Sequence, residues 1–161
     1  MKKQKILIVD DQKLNIILLR HGLEGNSVEL YEASNGMAAI DILNKDPDFD
    51  LILMDIQMPG IDGFETVIEI KKNILLQDIP VIFITAHFIS KMFIEKGFNV
   101  GAYDYIVKPF DMEILKNKAN VFLTLQKQKK ENHIKYEKFF LFSFVKFIKR
   151  MLFITHLCQF R

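Results

Sequence analysis

Leu51-Ile52-Leu53-Met54-Asp55-Ile56-Gln57-Met58-Pro59-Gly60 is the stretch on which the 161-residue chain is organised. Four apolar residues run directly into an aspartate, and Met58-Pro59-Gly60 ends the run. An unbroken apolar run closed by turn residues is the pattern of a strand buried on both faces. Asp55 then stands at the carboxyl end of that strand. There a charge can leave the core, and open α/β sheets bind their ligands along that edge. Asp55 reads as a nucleophile, and the other strand ends as the groups that activate it.

Two further apolar runs behave in the same way. Ile6–Val9 ends in Asp10-Asp11, and Val81–Ile84 ends in Thr85. Val28–Ala33 alternates apolar and polar residues, as a strand nearer the sheet edge does, and Tyr105-Ile106-Val107 runs into Lys108-Pro109. Helical spacing fills the gaps between them. Leu14, Ile17 and Leu18 predict a helix up to about Glu24, and Met37 to Asn44 predict a second. Asp62 can cap a third that starts at Gly63 and buries Phe64, Val67 and Ile68. A weaker fourth covers roughly Ser90 to Lys96, with Gly97 in C-cap position. Asp111 can cap the fifth, in which Leu115, Ala119, Phe122 and Leu125 keep helical spacing towards Lys130. Five strands alternating with five helices predict an α/β fold, a doubly wound parallel sheet covered on both faces. The pattern does not encode strand order; 2-1-3-4-5, the flavodoxin-like order with its switch point between the first and third strands, is expected.

Charge divides the chain unevenly. Residues 1–130 hold 16 Lys/Arg and 18 Asp/Glu, net −2, and residues 131–161 hold 6 and 2, net +4. The first part therefore has no nucleic-acid footprint. The single Cys158 excludes an internal disulfide and fits a reducing, cytoplasmic compartment. Ile6–Val9 is too short for the core of a signal peptide, and no stretch reads as a transmembrane helix.

In a parallel sheet the ends of the first, third, fourth and fifth strands share one edge. That edge collects Asp10, Asp11, Asp55, Thr85 and Lys108. Three crowded carboxylates raise one another's pKa values, and a divalent cation relieves the repulsion. Mg²⁺ takes few protein carboxylates and favours a phosphate ligand. Such a site suits in-line transfer of a phosphoryl group onto Asp55. The metal and Lys108 would neutralise its equatorial oxygens, and Thr85 would donate a hydrogen bond to one of them.

Asp10-Asp11, Asp55 with Met58-Pro59-Gly60 and Asp62-Gly63, Thr85-Ala86 and Lys108-Pro109-Phe110 together resemble the CheY-like receiver domain of two-component response regulators. The resemblance covers about residues 3 to 128, and the ordered set is specific where each piece alone is weak. It implies a phosphorelay protein that takes a phosphoryl group from a sensor histidine kinase or phosphotransfer protein and is not itself a multiple-turnover enzyme. It implies Asp55 as phosphoacceptor, Mg²⁺ held by Asp11 and Asp55 with Asp10 direct or through water, and the Gln57 backbone carbonyl as a further ligand. It also implies Thr85 and Lys108 as the phosphate-sensing pair and Tyr105 as an aromatic switch that turns inward on phosphorylation. Signalling would pass through the face formed by the fourth helix, fifth strand and fifth helix, by which two copies could pair.

Other readings of these residues are weaker. Asp10 and Asp11 could cap the first helix, and Lys108 could be a surface lysine, although Pro109 holds it in extended backbone at a strand end. Thr85 could be β-branched filler and Tyr105 half-buried core. His87 is read as a loop histidine. Asp46, Asp48 and Asp50 mimic a calcium loop, but Leu51 stands where its glycine belongs and Gln57 where its last glutamate belongs. A phosphatase of the haloacid dehalogenase type needs Asp-x-Asp after the first strand. A nucleotide binder needs a Gly-rich phosphate loop, absent here. A receiver fold kept as an inert interaction module would not need the intact acidic set.

The receiver is expected over residues 1–130 and a basic, Phe-rich helical extension over 131–161. On a helix Lys135, Lys138, Lys146 and Lys149 share one side, with Phe140, Phe144, Phe147, Met151 and Ile154 opposite. Phe142 and Phe153 interrupt the polar side; the pattern suits a membrane surface or a partner helix, and the other reading is a truncated or frame-shifted end with no selected role.

Overall fold

The computed structural model describes residues 2–25, 27–86, 95, 97 and 99–158. The three unbroken apolar runs form the middle of the sheet: β1 (Gln4–Val9), β3 (Leu51–Asp55) and β4 (Val81–Thr85). Every residue of β3 and β4 is buried. The edges are β2 (Val28–Ala33) and β5 (Asp104–Val107), whose burial is mixed. The order is β2-β1-β3-β4-β5, and every pairing is parallel. Val9 pairs with both Ala33 and Met54, Asp55 with Ile84, and Thr85 with Val107. This register brings the residues that leave β1, β3, β4 and β5 to one edge.

Alternate strand residues face opposite sides of the sheet. Leu7, Val9, Ile52, Met54, Val81 and Phe83 join one core cluster. Ile6, Ile8, Leu51, Leu53, Ile82 and Ile84 join the other. The helices α1 (Lys13–Leu23), α2 (Gly36–Lys45) and α3 (Gly63–Lys72) and a C-terminal helix (Met112–Cys158) supply further core residues, and loop residues such as Phe49, Ile56, Leu76 and Ile79 complete the first cluster. α2 and α3 pack on the first cluster. Ile16 and Leu19 of α1, with Leu115, Ala119 and Leu123 of the C-terminal helix, pack on the second. Asp62 and Asp111 cap their helices as expected, and Asn35 adds a cap not read from the sequence. The Asn35 side chain accepts the Ala38 N–H, Asp62 and Glu65 form a capping box, and Asp111 accepts the Glu113 N–H at 2.7 Å.

Five helices were expected; four have both ends among the described residues. The one expected over roughly 90–96 lies mostly outside them, as does His87. Its end is described and corrects the expected cap. Gly97 is helical, and its carbonyl accepts the Ala102 N–H at 2.9 Å, while Gly101 has φ +96°. The left-handed residue that closes the helix is therefore Gly101. Two helix faces also differ. α3 buries Phe64, Val67 and Ile70 but leaves Ile68 exposed, because Ile68 lies across the helix from Gly63, Thr66, Val67 and Ile70. On α1 the buried residues are Ile16, Leu19 and Gly22, and Leu14, Ile17 and Leu18 are exposed. Leu125 is exposed as well.

The acidic loop before β3 fastens the entry to β1. Asp48 pairs with Lys2 and Asp46 with Lys5, and Asp50 accepts the Lys5 N–H at 2.8 Å. The chain divides into two compact units, Met1–Leu123 and Thr124–Arg161. The second is helical over its described residues and exposes Tyr136, Phe139, Phe140, Leu141, Phe142 and Phe144. No helix of the described residues is long and apolar enough to cross a membrane.

Candidate functional site

Asp55 is the last residue of β3 and is 5% exposed. The chain beyond it is pinned on two sides. The Ile56 N–H donates to the Ile84 carbonyl at 3.1 Å, and the Gly63 N–H donates to the Ile56 carbonyl at 2.9 Å. A Cβ on Gly63 would overlap the Asp55 carbonyl, so only glycine lets α3 start this close to the strand end. Asp10 leaves β1 with its N–H on the Ala33 carbonyl at 3.1 Å and is 1% exposed. Its carboxylate accepts the Gln12 N–H at 2.9 Å and the Asn15 amide on both oxygens at 3.0 Å. Lys108 follows β5, and its N–H donates to the Thr85 carbonyl at 2.7 Å. Its Nζ donates to Asp55 Oδ1 at 2.6 Å and to Asp10 Oδ2 at 2.8 Å. One ammonium thus bridges two buried carboxylates.

Burial pushes the Asp55 carboxyl above its ordinary value. Lys108 opposes this, Asp10 adds to it, and the Gln57 backbone N–H also opposes it. For Lys108, burial works to lower the pKa, but hydrogen bonds and charge from Asp10 and Asp55 outweigh it and hold the amine above its ordinary value. Burial therefore disfavours the charged form of Asp55 despite the shared ammonium, while Lys108 remains protonated at neutral pH. A second cation, or transfer of the negative charge onto a larger group, would relieve the site.

The structure brings Asp10, Asp55 and Lys108 together. Thr85 is buried at the end of β4 and holds the Lys108 backbone. Asp11 is exposed next in the chain, and Gln57 is exposed with its N–H towards Asp55. Tyr105 packs its ring against Phe83, centroids 5.6 Å apart, and sets its hydroxyl against the Gly97 backbone where a Cβ would otherwise stand. Burial raises the Tyr105 pKa, and the hydrogen bond with Gly97 opposes the rise. Among the described residues no three His, Cys, Asp or Glu side chains are grouped as a ready cation cage. Two carboxylates at one sheet edge, with Asp11 adjacent, are a hard-oxygen set that suits Mg²⁺, which takes one or two carboxylates and keeps several waters. Asn15 and the steric role of Gly63 were not read from the sequence. The available signal for Asn15 was its place in the first turn of the helix that follows Asp10-Asp11.

Residues 6–120 match the family model of the response regulator receiver domain. The chain belongs to the response-regulator receiver family. The receiver is 35% identical over 126 residues to Sporulation initiation phosphotransferase F of Bacillus subtilis, covering 78% of this chain and 98% of that protein. It is 37% identical over 107 residues to the probable transcriptional regulator ycf29 of Pyropia yezoensis, covering 66% of this chain and 47% of that protein. The chain spans less than half the length of this and another curated relative that it matches. Among solved structures, the chemotaxis protein CheY4 of Vibrio cholerae superposes with a TM-score of 0.70 at 29% identity, covering 75% of this chain and 99% of that one. The all-parallel order and the helices on both faces are those of the CheY-like receiver fold.

Proposed function

We propose that this receiver accepts a phosphoryl group on a carboxylate oxygen of Asp55 from the phosphohistidine of a sensor histidine kinase or phosphotransfer protein, in a Mg²⁺-dependent step. The observation that carries the reading is the Lys108 ammonium shared by buried Asp10 and Asp55 at the carboxyl edge of the sheet. The Asp55 oxygen attacks phosphorus in line, the new P–O bond forms as the P–N bond breaks, and the imidazole leaves with the bonding pair. Mg²⁺ bound by Asp11, Asp55 and the Gln57 carbonyl, with Asp10 direct or through water, would neutralise phosphoryl charge. Lys108 releases Asp55 and moves to a phosphoryl oxygen, and Thr85 donates to another. The receiver's own groups also assist hydrolysis of the aspartyl phosphate, and the only substrate it acts on is its own Asp55, so it is not a multiple-turnover enzyme by itself. Incubation with a phosphohistidine donor separates this reading from a phosphatase. Stoichiometric label on the receiver is expected, and continuous phosphate release without label would overturn it.

Tyr105 exchanges between the packed position against Phe83 and an exposed one, and phosphorylation favours the packed one. Its place on edge strand β5 supports signalling through that edge. Exposed Tyr103, Val107, Ile114 and Val121 support the same face as a site where two copies pair. Leu14, Ile17 and Leu18 form an exposed apolar face on α1 just after Asp10 and Asp11, which supports docking of a phosphodonor helix there. The protein acts in the cytoplasm. We place the receiver in residues 1–130 and the extension in 131–161. The net +4 charge and exposed phenylalanines of the extension support contact with an anionic membrane surface. Co-sedimentation of the full chain with vesicles rich in anionic lipid, weakening with salt and with charge reversal at Lys135, Lys138, Lys146 and Lys149, checks this. Equal binding to neutral vesicles, or none, would contradict it.

A further inference from the structure

The Asp10 carboxylate has about four acceptor positions, and the structure fills them all. Gln12 N–H takes one on Oδ1, the Asn15 amide nitrogen lies 3.0 Å from each oxygen, and Lys108 Nζ takes one on Oδ2. These donors are not equivalent. Gln12 and Asn15 belong to the start of α1 and are fixed by the helix: the Asn15 N–H donates to the Gln12 carbonyl at 3.0 Å. Lys108 comes from the far side of the site, on a long flexible stem, and also serves Asp55. When Lys108 turns to a phosphoryl group, Asp10 loses the donor that ties it to the rest of the site. The protein donors that then remain on the carboxylate are those of α1 and its start, Gln12 and Asn15.

We propose that Asn15 is a positioning residue for the cation site: its amide straddles both oxygens of Asp10 and keeps that carboxylate aimed at the Asp55 edge after Lys108 has left. This rests on the Mg²⁺-dependent reading given above. Only the NH₂ end of the amide can face a carboxylate, so the orientation of Asn15 is fixed by what it holds. A carboxylate beside a metal generally needs a hydrogen-bond partner of its own. Loss of such an outer partner typically weakens metal binding about 10–100-fold. The low end applies here, because the Gln12 N–H remains on Oδ1.

The test uses the full chain with Asn15→Leu, which keeps the side-chain size and favours the helix but removes the donor, and Asn15→Ala in case leucine does not fit. Mg²⁺ affinity is read without chemistry, from titration of backbone amide NMR shifts at residues 55–57. The dependence of phosphorylation by a small acyl phosphate on Mg²⁺ is read separately. Both variants should bind Mg²⁺ roughly tenfold more weakly. The Mg²⁺ concentration for half-maximal phosphorylation should rise by the same factor, and most of the lost rate should return at high Mg²⁺. Parental affinity in both variants, or a rate loss that Mg²⁺ does not relieve, would overturn the assignment of Asn15. Failure of the parent chain to bind Mg²⁺ would instead overturn the Mg²⁺ reading on which it rests.

Discussion

Replacing Lys108 with methionine removes the cation that Asp10 and Asp55 share while keeping a stem of similar length. Their side chains remain only 1% and 7% exposed. Removing one partner of a buried ion pair commonly costs about 3–5 kcal/mol, because the other charge is left uncompensated. Two features reduce that here: Lys108 is itself 19% exposed at the sheet edge, and Asp10 keeps Gln12 and Asn15. A loss of about 2–4 kcal/mol is expected at neutral pH in EDTA. At about 4 °C per kcal/mol for a domain of this size, the melting temperature should fall by roughly 8–16 °C.

The pH dependence has a definite sign. Asp55 has a folded pKa raised above its ordinary 3.8, so its contribution to stability is fully present below 3.8 and is lost as pH rises through the raised value. Lys108 is raised above 10.5, so its contribution is present below 10.5 and is lost as pH rises through its folded value. The deficit of Lys108→Met should therefore be widest near neutrality, shrink as pH falls towards 3.8, and shrink again in strong alkali. Adding Asp55→Asn to Lys108→Met removes one of the repelling charges and should recover part of the loss. Thermal melts of the three proteins across pH supply the data. A Lys108→Met melting temperature within roughly 2 °C of the parent in EDTA, or a deficit equal at pH 4 and pH 7, would refute the shared-cation account.

Gly63→Ala should destabilise the fold by about 2 kcal/mol or more, because the new Cβ overlaps the Asp55 carbonyl, and chemical denaturation should show it. Thr85→Ala should still be phosphorylated but should respond more weakly, since a hydrogen bond to a charged acceptor contributes about 1.5–3 kcal/mol. NMR shift mapping with a beryllofluoride phosphoryl mimic reads that response. Shifts should extend from Asp55 through Thr85 to Tyr105 and the β5 edge, and shifts confined to the strand ends of β1 and β3 would contradict a switch.

The parts of this fold legible in the sequence are those where burial leaves no choice. β3 and β4 are covered on both faces, so their sequences are unbroken apolar runs and the first polar residue marks the sheet edge. Asp10, Asp55 and Thr85 stand out in this way, whereas Lys108 follows the edge strand β5 and was read from its place before Pro109. Helix faces were less legible because α1 is apolar nearly all round. Leu14, Ile17 and Leu18 have helical spacing, but Ile16, Leu19 and Gly22 are the residues that pack, with Gly22 pressed against Met112. Only the tertiary partner decides between the two stripes. The same holds for Ile68 and Ile70 on α3. Gly97 has the residue type of a cap, yet it lies under the Tyr105 hydroxyl, and the left-handed turn falls at Gly101. Asn15 left only a weak signal, its place in the first turn after Asp10-Asp11, because its role is defined by Asp10 across the strand–helix turn.

The central claim is that Asp55 accepts the phosphoryl group with Asp10 and Lys108 on either side of it. Intact-mass spectrometry of the chain and its Asp55→Asn variant, each incubated with a small acyl phosphate and Mg²⁺ or with EDTA, tests this most directly. One phosphoryl group per chain is expected on the parent with Mg²⁺, and none with EDTA or on Asp55→Asn. Equal labelling of parent and variant would contradict the assignment.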